Sequence, residues 1–138
     1  ATGSDGLGMT SKGIELIRFD RDDVHNVLSK LSKEDLDKLG FGAVQLDQDG
    51  VVRAFNQRES DITGKNPEKV IGRHFFGDIA PCTNSDDFLG RFEKIKRGEL
   101  DSAIFEYTFD HEMRPTRVMV HMKPAAESGR YWLLINRL

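Results

Sequence analysis

The chain predicts an α+β fold: a five-stranded antiparallel sheet with helices folded over one face and a helical cap at the N-terminus. Three observations carry this reading. Two short β-like runs, a cluster of short helices, one longer helix and three further β runs follow one another from Phe41 to the end of the chain, an order that groups the helices against a sheet face. Val118, Val120 and Met122 alternate with Arg117, Met119 and His121, the period of a half-buried antiparallel strand. The residues before Gly40 have few apolar side chains beyond one stripe, so helices formed there lie on the outside of something else.

A length of 138 residues fits one domain able to bury a core without disulfides or a metal. Hydrophobic residues make up 38% and charged residues 31%, with a net charge of −3 and no block of like charge. That pattern offers no surface for nucleic acid or an anionic membrane. With no apolar run near the ~18 residues of a membrane span and no signal-peptide pattern, a cytoplasmic protein is expected. One cysteine agrees with a reducing compartment.

Residues 1–12 are Gly-rich and without periodicity, and read as a disordered leader. Their Gly6-Leu7-Gly8 is no dinucleotide loop, because no strand precedes it. Residues 13–40 form the expected helical cap. Val24, Val27, Leu28 and Leu31 make one stripe, and Ser32 with Asp35 resembles a capping box for a second helix that Gly40 closes. Residues 41–138 form the core. Ala43 to Leu46 and Val51 to Phe55 are strands joined by Asp47-Gln48-Asp49-Gly50, a hairpin turn with Gly50 at positive φ. Asn56 to Gly64 is polar and broken, with Gly64 as a C-cap, and Asn66-Pro67-Glu68 opens another short helix. Asn84 or Ser85 caps a longer helix whose Phe88, Leu89, Phe92 and Ile95 share one face and which Gly98 stops. Ser102 to Phe109, Thr116 to Lys123 and Tyr131 to Arg137 complete the sheet.

The chemistry centres on Phe75-Phe76-Gly77-Asp78-Ile79-Ala80-Pro81-Cys82-Thr83. A lone thiol is either a small buried hydrophobe or an attachment point. Pro81 fixes its own φ and turns Ala80 away from helical geometry, which puts Cys82 on a bend. Phe75, Phe76 and Ile79 supply an apolar wall fit for an organic group. The four histidines, His25, His74, His111 and His121, lack ligand spacing, and no metal site is expected.

Phe41 to Asp47, Asp61-Ile62-Thr63-Gly64, Val70 to Phe76, Ile79-Ala80-Pro81-Cys82-Thr83, Phe105 to Asp110 and Val120-His121-Met122-Lys123 resemble the photoactive yellow protein family in one register, from about Phe19 onward. The hairpin alone would indicate only the wider PAS fold; Ala-Pro-Cys with its upstream Glu59 is far more specific. The resemblance implies a PAS-like blue-light photoreceptor, not an enzyme, carrying p-coumaric acid (4-hydroxycinnamic acid) as a thioester on Cys82. It implies a trans phenolate in the dark, held by a buried acid and a tyrosine, with the Cys82 backbone N–H bonding the thioester carbonyl. Glu59 matches the buried acid and proton donor, Thr63 the threonine behind it, Lys65 an arginine lid, and Met113 the methionine associated with thermal return. Ala80, Pro81 and Thr83 flank the attachment point, and Phe75 and Phe109 serve as core that doubles as pocket wall.

The resemblance breaks at Phe55, where the family usually has a tyrosine donor, at Lys65 in place of arginine, and at His111 in place of an aromatic. Loss of one charge-assisted hydrogen bond, typically about 1.5 to 3 kcal/mol, predicts a raised chromophore pKa or a mixed dark state unless Thr63 or a water replaces the donor. Light is expected to take a proton from Glu59 and loosen the cap, a state read by an unknown downstream signalling protein or domain. Two other readings stand beside this one. A PAS-type module could sense a ligand or partner without photochemistry. A cysteine enzyme pairing Cys82 with His74 or His121 is the weakest, because no nucleophile elbow or orienting third group surrounds Cys82.

Overall fold

The computed structural model describes residues 13–14 and 17–138; the expected leader, residues 1–12, lies outside them. The elements are α1 (Val24–Leu28), α2 (Lys33–Leu36), β1 (Gly42–Asp47), β2 (Val52–Phe55), α3 (Gln57–Thr63), α4 (Pro67–Val70), a π-helical turn (Phe75–Ile79), a 3-10 turn (Pro81–Thr83), α5 (Leu89–Lys96), β3 (Ala103–Phe109), β4 (Thr116–Pro124) and β5 (Arg130–Arg137). The five strands form one antiparallel sheet in the order β2-β1-β5-β4-β3. Among the described residues no helix is long and apolar enough to cross a membrane.

Two cores lie on opposite faces of this sheet. The inner one joins Val44, Leu46, Val52, Phe55, Val118, Val120, Met122, Leu133 and Ile135 to Phe75, Phe76, Phe88 and Phe92 from the helical segment. The outer one packs Ile14, Ile17, Val24 and Leu28 against Phe41, Ala43, Trp132 and Leu134. Both faces of β5 are therefore covered, and Trp132 to Ile135 are buried without interruption. His121 was expected on the exposed face of β4. It is 2% exposed, because Phe19 lies over it: the Phe19 carbonyl is 2.8 Å from His121 Nδ1, and the two rings meet edge to face.

Local geometry follows the sequence at the caps and departs from it on buried faces. Gly50 turns the hairpin at φ 81 and Gly64 closes α3 at φ 74. Ser32 caps α2 by accepting the Asp35 N–H. That helix ends at Leu36 with Asp37 as its C-cap, well short of the expected Gly40. Asn56 to Gly64, expected to be broken, is a regular helix. The face it buries carries Glu59 as well as Ile62, and a charged residue on the inward stripe hides the helical period. The helix α5 starts only at Leu89, with Phe88 as its N-cap and no side-chain cap bond.

An irregularity in β2 sets the pocket wall. Val44 pairs with Phe55 and Gln45 with Ala54, but Leu46 pairs with Val52, which leaves Arg53 as an extra residue. Residues three apart on a regular strand face opposite ways. The bulge restores one facing to both, so Val52 and Phe55 enter the same inner core.

Asn56 joins the sheet, α3 and the N-terminal segment. Its Oδ1 accepts from Ala43 N at 2.9 Å and Glu59 N at 3.0 Å. Its Nδ2 donates to Leu36 O at 2.8 Å and Phe41 O at 3.1 Å. Every hydrogen-bonding position that an amide offers to such a junction is in use, at a site 2% exposed. Asn56→Ala is expected to lower stability by about 2 to 4 kcal/mol, through loss of the cap and stranding of buried groups. Gln57→Ala, on the exposed side of the same turn, should stay within about 0.5 kcal/mol. Equal urea midpoints for the two variants would rule out Asn56 as the junction.

Candidate functional site

The pocket between sheet and helices is lined by Phe55, Glu59, Thr63, Lys65, Phe75, Ile79, Ala80, Cys82, Phe109, His111 and Met113, whose side chains nearly fill it and leave a cavity of about 10 Å³. β2 and α3 supply one wall, the two turns before α5 another, and the end of β3 with its following loop the third. Pro81 and Thr83 do not line it. Thr83 is fully buried, and its Oγ1 donates to Ala80 O at 2.6 Å, which ties the 3-10 turn behind the cysteine. Cys82 itself is a half-buried free thiol.

Glu59 is the one acid of this pocket, and it is completely buried. Neither carboxyl oxygen has a hydrogen-bond partner. Desolvation drives its pKa well above the ordinary value of 4.5, since burial disfavours the charged form. The carboxyl lies against the backbone of β1. A Cβ placed on Gly42 would come within 2.3 Å of Glu59 Oε1, so only glycine leaves room there. Thr63 does not face Glu59 with a free hydroxyl, because its Oγ1 donates to the Glu59 backbone carbonyl at 2.9 Å.

The mouth is charged. Lys65 Nζ lies 3.3 Å and His111 Nε2 3.2 Å from the same oxygen of Glu112, a residue held at φ 53. Lys65 is thus directed along the rim by a carboxylate that the sequence did not single out. No group of three or more metal-ligating side chains is present among the described residues.

A family model described as the PAS fold matches residues 34–137. Photoactive yellow protein from Rhodothalassium salexigens is 45% identical over 126 residues, covering 91% of this chain and all of that protein. The Halochromatium salexigens protein of the same name is 47% identical over the same extent. The chain belongs to the photoactive yellow protein family. Its backbone is also similar to the crystal structure of the photoactive yellow protein domain from the sensor histidine kinase Ppr of Rhodospirillum centenum. That match has a TM-score of 0.77 at 38% identity and covers 81% of this chain and 98% of that one.

Phe55 brings a ring and no hydroxyl to the wall of this photoactive yellow protein's pocket. Of the expected apolar wall, Phe75 and Ile79 line the pocket, while Phe76 is buried in the inner core behind it; sequence reasoning missed Tyr107, whose phenol donates to Cys82 O at 2.6 Å. Tyr107 alternates with Phe105 and Phe109 along β3, which hid it among core aromatics.

The raised pKa of Glu59 has a direct consequence for stability. The folded chain keeps this proton above the pH at which the unfolded chain releases it. Stability therefore falls as pH rises past 4.5, by up to about 1.4 kcal/mol per unit, until the folded carboxyl ionises. His25, whose pKa is lowered by burial and then by Lys123, acts in the opposite sense just below 6.5. Glu59→Gln leaves the His25 contribution in place. Its urea-derived stability between pH 5 and 8 should lack the decline seen in the parent protein, and parallel curves would contradict a buried neutral Glu59.

Proposed function

We propose that the protein is a blue-light photoreceptor in which p-coumaric acid is joined to Cys82 as a thioester and Glu59 is the proton donor. The observation that carries this reading is the convergence, on one apolar pocket, of the only thiol with a buried carboxyl whose oxygens have no partner. These residues fit an aryl acyl group: a thiol to hold it, rings and aliphatic carbons to enclose it, and a protonated acid ready to donate to its far oxygen. Such a group, when bound, supplies a double bond that light turns from trans to cis and a phenol oxygen whose proton affinity changes as it turns.

The chain's own part is electrostatic. Glu59, neutral in the dark, donates a hydrogen bond into the pocket, and on illumination gives up its proton there. Its carboxylate is then a buried charge without a partner, a change of roughly 3 to 5 kcal/mol in a marginally stable domain. The effect reaches the N-terminal segment by a short route. Asn56 accepts the Glu59 N–H and donates to Leu36 O, and Gln57 N donates to Asp37 Oδ1 at 2.8 Å. Residues 13–40 act as a cap that loosens over residues 41–138, and the loosened state is read by a downstream signalling protein or domain in the cytoplasm. The similar domain found in a sensor histidine kinase supports such a coupling.

Phe55 changes the tuning. It offers no donor, and the Thr63 hydroxyl is committed to a backbone carbonyl. The bound phenol should therefore ionise at a higher pH than with a tyrosine at this place, or mix both forms in the dark. The protein treated with activated p-coumaric acid should gain one acyl mass and a visible band that bleaches in blue light and returns. Cys82→Ala should lose both, and Glu59→Gln should shift the band and abolish proton transfer. Phe55→Tyr should lower the midpoint of a dark titration by about 1 to 2 pH units. A single phenolate band unchanged from about pH 6 to 9 in the parent protein would refute the Phe55 reading, and an adduct with no reversible bleaching would leave a PAS-type ligand sensor.

A further inference from the structure

The backbone around the cysteine satisfies its own carbonyls, with one exception. Ala80 O accepts from Thr83 N at 2.8 Å and from Thr83 Oγ1 at 2.6 Å, Pro81 O from Asn84 N at 3.0 Å, and Thr83 O from Ser85 N at 2.9 Å. Cys82 O takes its bond from a side chain on another element, the Tyr107 phenol on β3, at 2.6 Å. A phenol has one hydrogen. With that hydrogen on Cys82 O, the 2.7 Å contact between Tyr107 Oη and Ser85 Oγ carries the Ser85 hydrogen toward Tyr107. Ser85 Oγ in turn accepts from Phe88 N at 3.4 Å.

The result is a directed chain from the start of α5 through Ser85 and Tyr107 to the carbonyl of the cysteine. Each bond in such a chain polarises the next. The ring cannot swing aside, because Phe88 meets it edge to face at 5.1 Å while Phe105 and Phe109 flank it at 6.4 and 6.3 Å. Tyr107 does not line the pocket. It acts on the cysteine from behind, and it ties that turn to an edge strand of the sheet.

We propose that Tyr107 is the positioning residue for the attachment cysteine: its phenol, oriented by Ser85, fixes the peptide plane after Cys82 and with it the direction in which the sulfur enters the pocket. The inference deepens the photoreceptor reading and rests on it for the meaning of Cys82, while the restraint itself belongs to the chain alone.

The test begins on the full chain before acylation, with the rate of Cys82 alkylation by iodoacetamide followed by intact mass. Tyr107→Phe should raise that rate roughly three- to tenfold, the equivalent of one hydrogen bond released. Ser85→Ala should raise it less, and the double variant should label no faster than Tyr107→Phe. That non-additivity is the signature of one connected unit. Tyr131→Phe, a core tyrosine packed on Phe92 and absent from the pocket lining, should leave the rate unchanged. Wild-type labelling in Tyr107→Phe, or effects that multiply in the double variant, would overturn the proposal. If Tyr107→Phe does not fold, Ser85→Ala alone decides, since an unchanged rate there is equally fatal. In acylated protein Tyr107→Phe should keep the dark band and slow thermal return by a similar factor. A parent protein that acylates without any light response would overturn the photoreceptor reading, and the alkylation rates would still decide the role of Tyr107.

Discussion

Burying Glu59 puts a carboxyl where neither oxygen finds a donor, and much of the surrounding architecture follows from keeping it there. The acid needs a sheet backbone that comes close enough to exclude water, which Gly42 permits by having no side chain. It needs a helix that begins in the right place, which the Asn56 cap ensures. It also needs an apolar partner wall, and the bulge at Arg53 supplies this by turning Phe55 inward. Each of these is a local backbone device, and together they hold one proton on one carboxyl. The acid of the pocket is therefore fully shielded from bulk solvent, the condition in which a proton shift has the largest energetic effect.

The same devices explain why a change at the acid does not stay local. Asn56 is shared between the turn that presents Glu59 and the carbonyls of Leu36 and Phe41. A displacement of α3 cannot leave the N-terminal segment's hydrogen bonds untouched, because one amide group holds both. The segment is also attached through the outer apolar cluster, the Gln57 N–H bond to Asp37 and the His121 contact to the Phe19 carbonyl. Its helices α1 and α2 are short, of five and four residues, and have little stability of their own. Strong connection to the acid and weak self-sufficiency are what a responsive element requires.

The sheet, the hairpin, the glycine turns and the order of helices were legible in the sequence because strand alternation and turn chemistry are local properties. The helix bearing Glu59 was not, since its inward face mixes an acid with an isoleucine and so shows no apolar period. The burial of His121 was equally hidden, because what covers it lies 102 positions away in the chain. At the site, the thiol stood out as the only cysteine, on a proline bend beside an apolar run, whereas the acid was found by resemblance alone. Nothing in Gln57-Arg58-Glu59-Ser60 distinguishes a buried carboxyl from a solvated one. Tyr107 and Glu112 escaped for a related reason: their importance lies in a partner's backbone carbonyl and in a rim contact, neither of which leaves a mark on residue type.

Trp132 is the chain's only tryptophan, and it is 2% exposed beneath the N-terminal segment on the outer face of the sheet. The thiol pocket opens on the inner face. The indole and the thiol are thus separated by the thickness of the sheet, one beneath the N-terminal helices and the other in the pocket that holds the acid. Indole emission depends on the wetness of its surroundings, so its colour is an intrinsic gauge of whether those helices are seated, readable with no label attached.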